Sequence, residues 1–289
     1  MNLTSKQIGI LAVLGSALSF GTTGTTQQLG VPDVSPVAVG AARLASGAVF
    51  LFIFAYLQRG QRGSFRAPRR DLAICGLGVA MYQLTFFSAV SLTGIAISTV
   101  TALGCVPTFS AIVAYLVLGE RPSKSWFLGT SVTIMGIALV GTAKGIDSFS
   151  PLGVGLAALA GFGFGVFSVI SRKSLAQGAQ DIWLTATSFG VAALVTFPFL
   201  FIQDIDWLFT QSGSLSVLWL GLVPTAIGYF LFTFGLKRVD TSTAATVVLA
   251  EPVTATVLAA VVIGESLVLQ SYVGIAVVAA GIIYISKKS

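Results

Sequence analysis

The sequence predicts an all-α integral membrane protein: ten transmembrane helices forming two inverted five-helix repeats, with both termini cytoplasmic. Three observations predict it. Of 289 residues, 55% are hydrophobic and only 9% are charged, against about 25% charged in a soluble domain. With a mean hydropathy of +0.93, so few charges cannot cover a water-facing exterior, and the solvent for most of the surface is lipid. The apolar runs are long and continuous rather than alternating, which selects helices over a lipid-facing barrel. Finally, the second half of the chain echoes the first at a constant shift of 145 residues.

A crossing needs about 20 apolar residues. The spans fall at 7–28, 36–57, 72–91, 95–118, 126–143, 151–171, 183–203, 215–236, 241–263 and 269–286, joined by connections too short for a soluble domain. The start, "MNLTSKQIGILAVLGSALSFG", has a rival reading as a secretory leader with an "ALS" cleavage site. Span one nevertheless matches span six at a shift of 144, "FG" at 20–21 over "FG" at 164–165, which argues that it is retained.

Taken in order, the spans differ in polarity. Span one carries Thr22 and Thr23 in a run of hydroxyls and amides, with Gly21 beside them. Span two buries Arg43 about seven residues from its outer end, some 10 Å deep at 1.5 Å per residue. Span three holds Tyr82 and Gln83; span four holds Ser98, Thr101 and the helix breaker Pro107. Span six, "GFGFGVFSVIS", sets Gly161, Gly163 and Gly165 among Phe162, Phe164 and Phe167, which suits either close helix packing or stacking of an aromatic group. Span eight has Tyr229. Span nine has Thr246, then Glu251 beside Pro252, a carboxylate roughly ten residues from either end. Spans five and ten are plainer.

A carboxylate at that depth is protonated, paired or facing a wet cavity. Prolines free the carbonyls about four residues earlier, near Leu103 and Val248. Single Ser and Thr hydroxyls have an ordinary use as well, bonding back to their own helix or to a neighbour.

Charge sets the orientation. With the N-terminus inside, Lys6, Arg59, Arg62, Arg66, Arg69, Arg70, Arg121, Lys124, Arg172, Lys173, Lys237, Arg238, Lys287 and Lys288 all lie in cytoplasmic regions. The far side holds Lys144 with Asp33, Asp147, Asp204, Asp206 and Glu265. This is the positive-inside bias, so the net charge of +6 is topological. The basic loop 58–71 is expected beside anionic headgroups, not on nucleic acid.

The repeat divides the chain into 1–145 and 146–289, one transport unit. Pro107 meets Pro252, Gly119–Glu120 meets Gly264–Glu265, Gly129 meets Gly274 and Gly136 meets Gly281. Five spans per copy is odd, so the copies enter the membrane from opposite sides. That is the construction of secondary transporters, whose substrate site lies at the midplane between the copies and whose access alternates. Glu251 has no twin, because its counterpart is Val106.

The five-plus-five spans, the "P-x(11)-GE" running from Pro107 to Glu120 and again from Pro252 to Glu265, and Arg43 in "VAVGAARLASGAV" resemble the EamA type of the drug/metabolite transporter superfamily. Overall likeness points to its aromatic amino-acid exporter branch. The resemblance implies a multi-pass carrier in a bacterial inner membrane that exports small metabolites, often amino acids, without ATP. It also implies that spans 1, 3, 4, 6, 8 and 9 surround the cavity.

The expected substrate site is therefore drawn from Thr22, Thr23, Tyr82, Gln83, Ser98, Thr101, Phe162, Phe164, Tyr229, Thr246 and Glu251. Pro107, Pro252, Gly21 and Gly165 are expected as hinge or packing elements, and Arg43 and Glu251 as intramembrane charges. The expected partners are a small-molecule substrate and the bilayer, with a monomer as the simplest state. No cofactor is expected beyond a coupling proton. A nucleoside or a drug-like cation remains an alternative substrate, and a channel or scaffold an alternative class. The chain has no His and two cysteines, Cys75 and Cys105, both in apolar runs. Metal sites, disulfide frameworks and His-based enzymes have little to stand on. "GVGLAA" at 153–158 opens a membrane span rather than a strand–turn–helix unit, so it is not a dinucleotide motif.

Overall fold

The computed structural model describes residues 3–58, 67–143, 145 and 149–288. Arg59, Arg62, Arg66, Lys144 and Asp147, used above for orientation, lie outside the described residues. Among those described, all regular structure is helical, and nine helical stretches are long and apolar enough to cross a membrane.

Helix α1 (Ser5–Gly30) starts at a capping box: Thr4 Oγ1 accepts from the Gln7 N–H, and the Gln7 side chain accepts from the Thr4 N–H. Helix α2 (Pro36–Leu57) and helix α5 (Pro151–Ala176) open on proline, whose missing N–H is no loss in a first turn. Helix α4 (Lys124–Gly141) is capped by Ser123.

Spans three and four were expected as separate helices with a short loop over 92–94. They form two helical arms of the run α3 (Arg69–Leu118), divided at Gly94, whose φ 76° and ψ 165° are the only non-helical values in it. That region is open almost solely to glycine, so one residue does the work of the loop.

Helix α6 (Asp181–Thr196) tightens into a 3₁₀ turn, Phe197–Ile202, around Pro198. The next crossing joins α7 (Gln211–Leu220) to α8 (Gly228–Leu236) through a π turn, Gly221–Ile227, that contains Pro224. Then α9 (Thr241–Val247) tightens to 3₁₀ over Val248–Ala250, resumes as α10 (Glu251–Leu258) and widens to a π turn, Ala259–Ile263. Helix α11 (Leu269–Lys288) completes the order. The two prolines expected as twin hinges differ. Pro252 follows the 3₁₀ turn, whereas Pro107 sits in uninterrupted helical backbone of α3.

The repeated "GE" acquires a physical meaning here. Gly119 and Gly264 both take the left-handed conformation, at φ 70° and φ 81°. The Glu120 N–H reaches back to the Ala114 carbonyl at 3.3 Å, and the Glu265 N–H to Ala259 at 3.2 Å. Each motif is a helix C-cap in which glycine supplies the backbone conformation and the following N–H satisfies an orphan carbonyl.

Glycines also set the helix contacts. A Cβ on Gly136 would stand 3.0 Å from the Gly274 carbonyl oxygen, and one on Gly281 would stand 2.9 Å from that of Gly129, so α4 and α11 touch along their backbones. The 145-residue shift exchanges these two pairs. Likewise Gly21 of α1 abuts Thr254 of α10, and Gly165 of α5 abuts Phe109 and Ser110 of α3.

One end of the bundle is tied by ions. The Arg172 Nε stands 3.7 Å from Glu120 Oε1, its Nη1 donates to the carbonyls of Leu236 (3.0 Å) and Lys237 (2.9 Å), and the Thr241 N–H donates to Glu120 Oε2 at 3.2 Å. Nearby, Lys173 Nζ donates to Asp71 at 3.1 Å. The other end is held by neutral bonds, such as the Ser35 N–H to Gln203 Oε1 at 2.9 Å and the Ser150 N–H to Thr93 Oγ1 at 3.1 Å.

Candidate functional site

A cavity of about 140 Å³ lies among α1, α2, both arms of α3, α5, α8 and the α9–α10 junction. Its wall joins one close approach and two breaks: Gly21 of α1 against α10, the two arms of α3 on either side of Gly94, and the turn before Glu251. Neither α4 nor α11 contributes a residue, because their glycines are spent on packing against each other.

Six of the eleven expected binding residues meet here: Thr23, Tyr82, Gln83, Phe164, Tyr229 and Glu251. Arg43, Gly21 and Pro252 join them, and so do Leu103 and Val248, the residues whose carbonyls the prolines were expected to free.

The floor is aromatic. Tyr229 lies 4.7 Å from Phe20 and 4.4 Å from Phe189 between ring centroids, and Phe164 lies 5.2 Å from Phe232. Phe167, Phe189 and Phe232 are fully buried behind them, on the side of the ion-tied end. On one wall Tyr82 stacks on Phe86 at 5.7 Å. Toward the opposite end the rim is open, with Gly24 and Ile95 exposed and Gln27 and Thr99 partly so.

The polar groups are few and under-satisfied. Arg43 is 7% exposed; its Nη1 makes one long bond, 3.4 Å to Thr23 Oγ1, and its Nε has no acceptor among the described residues. Gln83 is 2% exposed and its Nε2 is equally unpartnered. Its carboxamide packs on Gly40, where any Cβ would overlap it. Glu251 is partly buried and forms no hydrogen bond or ion pair among the described residues, although Arg43 is near enough for its charge to act on it.

The other five expected binding residues stand elsewhere. Thr246 lies fully buried on the far side of α9. There it pairs with Thr130 Oγ1 at 2.9 Å, accepts from Trp126 Nε1 at 3.1 Å and donates to the Ser242 carbonyl at 3.0 Å, so it ties α9 to α4. Ser98 donates to the Gly94 carbonyl at 2.7 Å and secures the break in α3. Thr22 donates to the Ser19 carbonyl at 2.8 Å and accepts from Trp219. Phe162 is 36% exposed on the outer surface, against Phe109. Thr101 is half-buried and is not part of the cavity wall. Gly165 and Pro107 are likewise buried packing positions away from the cavity.

The residues that sequence reasoning missed are apolar or peripheral, among them Phe20, Phe86, Phe87 and Thr99. Phe86 and Phe87 follow Gln83 by three and four positions, the helical spacing of one face, and that spacing is the signal that could have found them.

A multi-pass helical bundle enclosing a mixed aromatic and charged cavity defines a membrane carrier of small molecules. Comparison with known proteins gives the family. The EamA-like transporter family matches residues 7–142 and again 151–287, and the chain belongs to that family.

Among relatives, the uncharacterized transporter YwfM of Bacillus subtilis (strain 168) is 36% identical over 278 residues, 96% of this chain and 93% of that one. A probable terminal-alkyne amino-acid exporter of Streptantibioticus cattleyicolor is 25% identical, covering 91% of this chain and 88% of its own. An uncharacterized inner membrane transporter of Salmonella typhimurium, YicL, is 23% identical over 99% of this chain and 97% of its own. A solved crystal structure superposes with a TM-score of 0.81 at 23% identity, over 98% of this chain and 97% of that one, which speaks to the fold.

Proposed function

We propose that this transporter exports small hydrophobic metabolites, amino acids with aromatic or other apolar side chains foremost, by alternating access through the central cavity. The carrying observation is that cavity: aromatic walls around a guanidinium and a carboxamide that each keep a donor without an acceptor among the described residues, with a carboxylate beside them. The name of the amino-acid exporter among the relatives supports the substrate class.

The reading counts α3 as two crossings divided at Gly94, so that ten spans form inverted repeats 1–145 and 146–289. The double family match and the glycine pairs exchanged by the repeat shift support it. The basic residues at the ion-tied end support cytoplasmic termini in a bacterial inner membrane. The cavity is then open outward and shut inward by its aromatic floor and the Glu120–Arg172 tie. Glu251, which has no repeat twin, is the group on which a coupling proton would ride.

Counterflow in proteoliposomes preloaded with amino acids, nucleosides or organic cations tests this. Labelled phenylalanine or leucine should accumulate against an excess of its unlabelled self. Exchange of nucleosides or cations alone would overturn the substrate class, and no exchange of any solute would overturn the reading as a whole. In Glu251→Gln, stimulation by an imposed pH gradient should vanish; stimulation that persists removes the proton from Glu251.

A further inference from the structure

We propose that Arg43, Gln83 and Glu251 form a clamp for a zwitterion: the guanidinium and carboxamide hold the carboxylate of an α-amino acid, and Glu251 holds its ammonium. The inference rests on the amino-acid reading above and assigns the groups that recognise the substrate's main chain.

Two donors on the cavity wall lack acceptors. Arg43 Nε and Gln83 Nε2 are buried, and neither finds an acceptor among the described residues. Buried unpaired donors are rare, since each has given up its bonds to water for nothing. The two are neighbours by construction. The Gln83 carboxamide rests on Gly40, and Gly40 and Arg43 are three residues apart in α2, on one helical face. Both residues line the same cavity, so a charged fork and a carboxamide stand on one wall, groups that suit the two oxygens of a carboxylate. Gly40 is what lets the amide lie so close.

The opposite charge sits on a different element. Glu251 begins α10 just after the 3₁₀ turn, shares the cavity with Arg43, and does not pair with it. Were the two meant only to neutralise each other, a direct, hydrogen-bonded ion pair would satisfy both charges at once. Held apart, one cation and one anion suit a ligand that carries one of each. A ligand with a single charge leaves one protein group unmatched. Phe20, Tyr82, Phe86, Phe164 and Tyr229 complete the wall and offer an apolar berth for the side chain.

The test compares ligands on the unaltered full-length protein in proteoliposomes. Whichever of L-phenylalanine and L-leucine exchanges is set against its amine, lacking the carboxylate, and its acid, lacking the ammonium. Each should compete about 10- to 100-fold more weakly than the amino acid, the cost of leaving a charged hydrogen-bonding group unmatched. Arg43→Gln should weaken the amino acid while leaving the amine unchanged, and Glu251→Gln should weaken the amino acid while leaving the acid unchanged. An amine or acid that competes as well as the amino acid overturns the clamp and leaves amino-acid transport standing. A protein that exchanges no amino acid removes the underlying reading and the clamp with it.

Discussion

At the scale of the residue, identical chemistry is put to opposite uses. Thr23 and Thr246 are both intramembrane threonines, yet one borders the cavity beside Arg43 and the other closes a dry network with Trp126 and Thr130. A hydroxyl that can bond its own helix is indifferent to which face it occupies, so the sequence alone could not separate them. Larger polar groups were more legible. Gln83, Tyr82, Arg43 and Glu251 carry more bonding capacity than one helix can satisfy, and all four reached the cavity. Thr246→Val is expected to lower stability by about 1–2 kcal/mol through lost buried hydrogen bonds, with the KM for counterflow unchanged. Thermal unfolding in detergent together with transport kinetics checks both halves; a raised KM at wild-type stability would place Thr246 in the site after all.

At the scale of the element, the glycines decide most. Gly94 turns α3 in a single residue at φ 76°, ψ 165°, inside the gap expected between spans three and four, although no spacing rule announces that one backbone conformation suffices there. Gly94→Ala is expected to cost about 1–3 kcal/mol, the strain of that region for a residue with a Cβ, seen as a lower melting temperature; an unchanged one would mean that the turn tolerates a side chain. Gly136 and Gly281 were visible as repeated letters, but their purpose appeared only when α4 and α11 were found backbone to backbone. Gly136→Leu should loosen that contact by about 1–3 kcal/mol through overpacking while sparing substrate affinity, since neither helix lines the cavity.

At the scale of the whole molecule, Glu120, Arg172, the Leu236 and Lys237 carbonyls and the Thr241 N–H close one end, while the cavity rim is exposed at the other. Weakening the tie by Glu120→Gln destabilises only the state that contains it. Losing an ion pair at 3.7 Å and the charge behind the Thr241 hydrogen bond, together about 0.5–1 kcal/mol, shifts a two-state population roughly two- to fivefold. A cysteine placed at Thr99, in a Cys105→Ser background, should therefore react more slowly with an impermeant maleimide added from the outer side; an unchanged rate would sink the tie as a gate. The sequence by itself determined the helical membrane class, the family and the pairing of the two halves, because periodicity, charge bias and repeated caps are local or one-dimensional quantities. Only the tertiary structure decided which polar residues share the cavity and that Arg43 and Glu251 face it without touching. The reason is that a cavity belongs to no single helix: its wall is assembled from the rotation, breaks and close approaches of seven segments, and the apolar residues completing it look in sequence like any others facing lipid.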